Sequence, residues 1–179
     1  MTQFAAFLRG VNVGGVNLKM AEVATALTDA GFDNVRTILA TGNVVLESSS
    51  GVAAVRKKAE AALRERFGYD AWVLAYDIDT VRAINEAYPF EREVDGYQSY
   101  VTFVTDAAVL DELAALKPGP KEKIRRGKGV VYWRWPRAAP WTAPSARRWA
   151  RSATSRRPPP ATCAPWTKCC ADGSWVVLV

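Results

Sequence analysis

Apolar positions along the first half of the chain switch between two spacings. From Met20, apolar side chains recur at Val23, Ala24 and Leu27 and stop at Gly31, the 3.6-residue stripe and glycine terminator of a helix. A second stripe at Val52, Val55, Ala59, Ala62 and Leu63 ends at Gly68, with "SSSG" at 48–51 supplying N-cap candidates. Short runs of strand type surround these helices. They lie at 4–8, which closes on Arg9 and Gly10; at 35–39 and 44–46, joined across the turn-forming "ATGN" at 40–43; and at 71–76. Read in order this is βαββαβ, the split-βαβ or ferredoxin-like arrangement.

The second half repeats the pattern in looser form. Asp79 is placed to cap a helix carrying Val81, Ile84 and Tyr88, which Pro89 ends. The run 97–104 is a strand with alternating aromatics. Val109, Leu110, Leu113 and Leu116 then stripe another helix before the breaker "KPGP". Runs at 121–126 and 130–135 make a hairpin across "RGKG", whose alternation predicts Val131 and Trp133 inward and Tyr132 and Arg134 outward. The expected fold class is α+β, with two ferredoxin-like halves at 1–77 and 78–137 and antiparallel or mixed sheets. The second half is truncated, because no helix is written after the hairpin to cover its sheet.

From Ala138 the composition changes abruptly. Six of the ten prolines, four of the seven tryptophans and all three cysteines, Cys163, Cys169 and Cys170, fall in the last 42 residues. Disordered linkers are poor in tryptophan, so no ordinary low-complexity class fits. The charge follows the same division. Of a formal +6, residues 1–137 carry 18 Lys+Arg against 17 Asp+Glu, so nearly all the excess lies in the tail. "ARRWARSATSRRPPP" at 146–160 has the look of a nucleic-acid arm, yet the body before it is almost neutral.

"FLRGVNVGGVNLKMAEV" at 7–23, "GFDNVRTILATGNVVLES" at 31–48 and "VVYWRWP" at 130–136 together resemble the bacterial domain of unknown function 1697 family. The resemblance implies tandem ferredoxin-like units and no established activity. It also implies a continuation like GSTLDSPLGKAL and an end near TTRNLRT, and neither is present. Starting each codon at the third base recovers both. The shifted reading allows G-S-T-L-D ending at Thr142, K-A-L-G-K ending at Arg151, and R-N-L-R-T-V-D-E over 160–168. The reading is therefore a frame change near 135–138. On it, Arg147, Arg148, Arg151, Arg156 and Arg157 are translated noise, and the segment 138–179 is expected to be poorly ordered.

Chemistry is scarce. The absence of histidine removes the usual general base and the commonest zinc ligand. Adjacent cysteines lack zinc spacing, and no carboxylate pair converges on a base, so neither metal nor cofactor is expected. No apolar run reaches membrane-spanning length, which points to a cytoplasmic protein without membrane contact.

The best candidate is "LRGVNVGGVNLK" at 8–19. Arg9 leaves a strand, Gly10, Gly14 and Gly15 let backbone amides approach a ligand, and Asn12, Asn17 and Lys19 follow at a helix entry. The set suits an anion cradle or, more simply, a tight strand-to-helix connection. It is neither a P-loop nor G-x-G-x-x-G. Thr41, Gly42 and Asn43 of "ATGN" are placed beside it by the split-βαβ order, or serve only as a hairpin turn. "KEKIRRGKGVVYWRW" offers Tyr132, Trp133 and Trp135 for base stacking unless they are core.

Three functions fit. One is a non-catalytic domain binding a phosphate, nucleotide or nucleic acid at the Arg9 to Lys19 loop. Another is an enzyme on a phosphorylated small molecule, with Arg9 and Lys19 as clamps and Thr41 or Asn43 orienting substrate. The third is a scaffold whose partner covers an exposed hairpin.

Overall fold

A computed structural model describes residues 1–9, 18–38, 42–137 and 177–178. The chain divides into two compact units, Met1–Ala83 and Ile84–Val179, and each mixes helices with one four-stranded sheet. The fold class is α+β.

The first unit contains β1 (Thr2–Arg9), α1 (Met20–Asp29), β2 (Asp33–Ile38), β3 (Asn43–Ser48), α2 (Val52–Phe67) and β4 (Trp72–Asp77). Its strand order is β2-β3-β1-β4, with every pairing antiparallel, as the split-βαβ reading requires. Phe4, Ala6 and Leu8 of β1, Val44 and Leu46 of β3, and Val73 and Ala75 of β4 present one face. That face is sealed by Val23 and Leu27 of α1 and Val55, Ala59 and Leu63 of α2. The alternate residues Ala5, Phe7, Val45 and Leu74 are also buried, so β1 is apolar on both sides.

Both glycine terminators hold. Gly31 follows α1 with φ +78°, and Gly68 caps α2 in the left-handed region with its amide bonded to the Arg64 carbonyl. The N-cap of α2 is Gly51, the last residue of the "SSSG" run, without a side-chain cap bond, while Ser48 accepts from the Ser50 amide. One expectation fails at α2, for Val52 is 39% exposed rather than part of the inward stripe.

α3 (Ile78–Glu86) begins directly after β4. Asp77, not Asp79, caps it, accepting from the Thr80 amide and hydroxyl at 2.7 Å each. Asp79 falls inside the first turn and pairs with Arg82 at 2.9 Å. The helix ends at Glu86, so Tyr88 lies past it.

The second unit continues with β5 (Tyr97–Phe103), α4 (Ala107–Ala114), β6 (Lys123–Arg126), β7 (Val130–Pro136) and β8 (Val177–Leu178), in the order β6-β7-β5-β8. β5, β6 and β7 are antiparallel, whereas β8 pairs parallel to β5 at Val101 and Thr102. Asp106 caps α4 by accepting from the Ala108 and Val109 amides, and Leu110 and Leu113 face inward. Val131 and Trp133 of β7 are buried as expected, but the outward half of the alternation is overturned, because Val130 and Tyr132 are buried too. Tyr88 explains it. Its ring meets Tyr132 edge-on at 5.7 Å while its hydroxyl donates to the Trp133 carbonyl, covering the face expected to see water. Arg134 does not face out either, for its side chain is 11% exposed and stacks over Tyr97 at 4.8 Å.

The β6–β7 hairpin turns through Gly127 and Gly129. Gly129 has φ +69°, and the Gly127 amide reaches the Val130 carbonyl at 2.8 Å. A Cβ at Gly127 would stand 2.6 Å from a ring carbon of Tyr132.

Candidate functional site

Antiparallel pairing gathers three chain connections at one end of the first sheet. β1 finishes there at Arg9, while β3 starts there at Asn43 and β4 at Trp72. Gly42, buried and with φ +81°, accepts the Leu8 amide at 2.7 Å, which places the turn before β3 beside the last residues of β1. A residue with a Cβ would be strained at that φ. Asn43 is 4% exposed and lies opposite Phe7 on one side and Ile38 on the other. The structure therefore brings Gly42 and Asn43 next to the strand that ends in Arg9.

Lys19 stands at the other end of the same connection, as the N-cap of α1. It is extended at φ −73°, ψ 121°, and its own side chain makes no cap bond to the first turn. The Glu22 and Val23 amides turn back to the Lys19 carbonyl, and Met20 and Ala21 fill the first positions of α1, ahead of these bonds. Among the described residues the Lys19 ammonium pairs with Glu22 at 3.6 Å, with the two side chains 82% and 45% exposed, a pairing worth little in water. Leu8 and Leu18 belong to one core, which anchors both ends of the connection. Gly10, Asn12, Gly14, Gly15, Asn17 and Thr41 lie outside the described residues, as does the side chain of Arg9.

Trp72 is the residue at this end that the sequence reading passed over, having been counted only as strand. It pairs in register with Arg9 and is 48% exposed, where Trp133 and Trp135 are 1% and 7%. The available signal was an indole at the first position of a strand. Nearby, Arg64 reaches Asp70 at 3.5 Å and the Ala71 carbonyl at 3.1 Å, tying the turn before β4 to α2.

The other candidates resolve differently. Tyr132, Trp133 and Trp135 are core and offer no face to a base, and the hairpin presents no exposed aromatic surface for a scaffold partner. Lys58 of "RKK" donates to the Gly31 carbonyl at 3.0 Å and sits 4.7 Å over the Phe32 ring, a structural use. A groove of about 460 Å³ between α1 and α2 is floored by Ala26, Ala30 and Ala62 and rimmed by Asp29, Glu65 and Arg66. Two carboxylates against one guanidinium do not favour an anion there. Among the described residues no metal-binding cluster occurs, and no helix is long and apolar enough to cross a membrane. The basic arm at 146–160 and the three cysteines lie outside the described residues.

Among solved structures, the chain is similar to the conserved bacterial protein SP0830 from Streptococcus pneumoniae. The two are 24% identical with a TM-score of 0.62, over 74% of this chain and 76% of that one, a likeness of fold. Comparison with curated proteins gives no match. The family described as protein of unknown function, DUF1697, matches residues 1–132, and over that span the chain belongs to the DUF1697 family.

Proposed function

We propose that this chain binds a phosphate-bearing small molecule at the end of the first sheet, through the connection between Arg9 and Lys19. The observation that carries the reading is the start of α1. Amides of a first turn that the Lys19 side chain does not cap stand beside an ammonium whose partner among the described residues is an exposed carboxylate 3.6 Å away. Such a terminus carries roughly half a positive charge and presents N–H donors, which suits phosphate oxygens. The glycines at 10, 14 and 15 would let further amides approach, and Thr41, Gly42 and Asn43 would border the ligand from the neighbouring strand. The account needs no contribution from the arginines of 146–160, which we read as out of frame; sequencing the coding DNA around the Pro136 codon tests that reading.

Isothermal titration with inorganic phosphate, pyrophosphate and ribose 5-phosphate tests the site. Lys19→Ala should weaken binding about tenfold, the worth of one charge-assisted hydrogen bond. Since Lys19 is exposed, its unfolding midpoint should stay at the wild-type value. No heat from any of the three probes would remove the proposal.

A further inference from the structure

We infer that the β6–β7 hairpin of the second unit holds the phosphodiester backbone of a nucleic-acid strand, at a surface that shares no residue with the phosphate reading above. Residues 1–137 are almost neutral, yet charge is sorted sharply along this stretch. Between Lys117 and Lys128 stand six Lys and Arg and a single acid, Glu122. All six cations are exposed. The fold neutralises Arg126, which meets Asp111 of α4 at 2.8 Å. Lys117, Lys121, Lys123, Arg125 and Lys128 form no ion pair among the described residues, and Glu122 accepts the Gly119 amide at 2.8 Å.

Register decides where the charges of β6 stand. Paired residues of neighbouring strands share a face, so Lys123 and Arg125 lie with Arg134 and Tyr132 of β7, while Ile124 and Arg126 turn to the side of α4. Lys123 is directly opposite Arg134, a like-charge pair that costs stability wherever nothing neutralises it. Arg134 has Glu91 at 4.0 Å, and Lys123 has no such partner among the described residues. β6 is an outer strand, and charge of either sign blunts an outer strand against aggregation. That task alone does not account for a strand without acids or for two cations set face to face. A line of phosphates along the edge accounts for both.

The arrangement also selects the occupant. Lys123 and Arg125 are two strand positions apart, about 7 Å at the rise of an antiparallel strand, which is the scale of the step between successive phosphates of an extended strand. Lys121 before β6 and Lys128 in the turn after it continue the positive run at either end. A single small phosphate uses one such cation, whereas a repeating anion uses the row. Tyr88, edge-on to Tyr132, closes the middle of this face and leaves the β6 edge to a ligand. Tyr132, Trp133 and Trp135 are buried, so the hairpin grips backbone and reads no base.

Fluorescence anisotropy of a labelled single-stranded oligonucleotide, titrated with the full chain across a range of salt, tests the surface. Each phosphate contact to a single strand adds about 0.7 to the slope of log affinity against log salt. Lys123→Ala combined with Arg125→Ala should therefore cut the slope by about 1.4 and weaken binding at least about tenfold at low salt. Both side chains are exposed, so the unfolding midpoint should not fall. The arginines of 146–157 are common to wild type and variant and cancel in the comparison. Lys57→Ala combined with Arg66→Ala removes the same charge from exposed positions of α2 and should leave the slope as it was, as should Lys19→Ala. A slope untouched by the hairpin variant, or cut as far by the α2 pair or by Lys19→Ala, overturns the inference and leaves the phosphate reading to its own test. Competition by polyglutamate as effective as that by unlabelled oligonucleotide would assign the surface to an acidic protein and overturn it too.

Discussion

In the first unit the last strand, β4, runs antiparallel to β1, pairs with it at six positions and is led in by the sixteen-residue α2. In the second unit the strand in the same place, β8, runs parallel to β5 and pairs at two positions. The spatial order is otherwise the same, with a hairpin whose second strand docks on the unit's central strand. The contrast separates two physical problems. Docking a hairpin needs a local turn and one strand's worth of matched apolar positions, and both halves encode these. Closing the outer edge needs a long return connection, which in the first half runs through α2 into β4. Among the described residues of the second unit, β7 is buried by aromatic packing, with Tyr88 edge-on to Tyr132, and α4 adds Leu110 and Leu113.

If that division is right, the largest effects should come from the two cores and stay separate. Trp133→Ala removes a side chain 1% exposed whose indole N–H donates to Thr102 at 3.0 Å, and it should cost about 3–5 kcal/mol. Leu63→Ala in the first unit, fully buried, should cost about 2–5 kcal/mol. Denaturant unfolding followed by hydrogen exchange reads both. Loss of protection in β1 as large as that in β7 on replacing Trp133 would break the two-unit description. A smaller effect should follow truncation before Val177. Losing a two-position pairing should cost on the order of 1–2 kcal/mol and deprotect the outer edge of β5 alone. A larger loss would mean that β8 closes its sheet as firmly as β4 does.

The smallest and most local effect is at the start of α3. Asp77→Ala should cost about 1 kcal/mol as a lost cap. Hydrogen bonds from the Thr80 hydroxyl, and then from its amide, hold the Asp77 carboxyl below the usual carboxylate range. A lowered native value stabilises the fold fully above the unfolded pKa of about 3.9, and that contribution fades as the pH falls through the native value. The gap in stability between wild type and Asp77→Asn should therefore close below about pH 4, and a gap constant down to pH 2 would count against the cap.

Much of the fold was legible because its signals are local. Gly31 and Gly68 end helices where the apolar stripe ends, and the βαββαβ order of the first half implies the sheet order that is found. What the sequence hid depends on partners far along the chain. Tyr132 was read as solvent-facing because its strand alternates, and it is covered by Tyr88, a residue beyond the end of a helix. Asp77 and Asp79 are equally good capping residues by type, and only the position of the first turn chooses between them. The candidate site divides in the same way. Arg9, the glycines and Lys19 can be read as one string, whereas the approach of Gly42 to Leu8 and of Trp72 to Arg9 needs the register of three strands.

The tight tip of the second hairpin has a practical corollary for mutational scanning. With a Tyr132 ring carbon 2.6 Å and a Val130 methyl 2.8 Å from any methyl added at Gly127, alanine there must push apart side chains that are themselves buried. A screen reporting only cellular activity would score Gly127 as indispensable and invite a search for a bound molecule nearby, although the penalty is purely steric. Abundance measured alongside activity would tell such a false hotspot from Lys19 or Lys123, whose replacements should leave protein levels untouched.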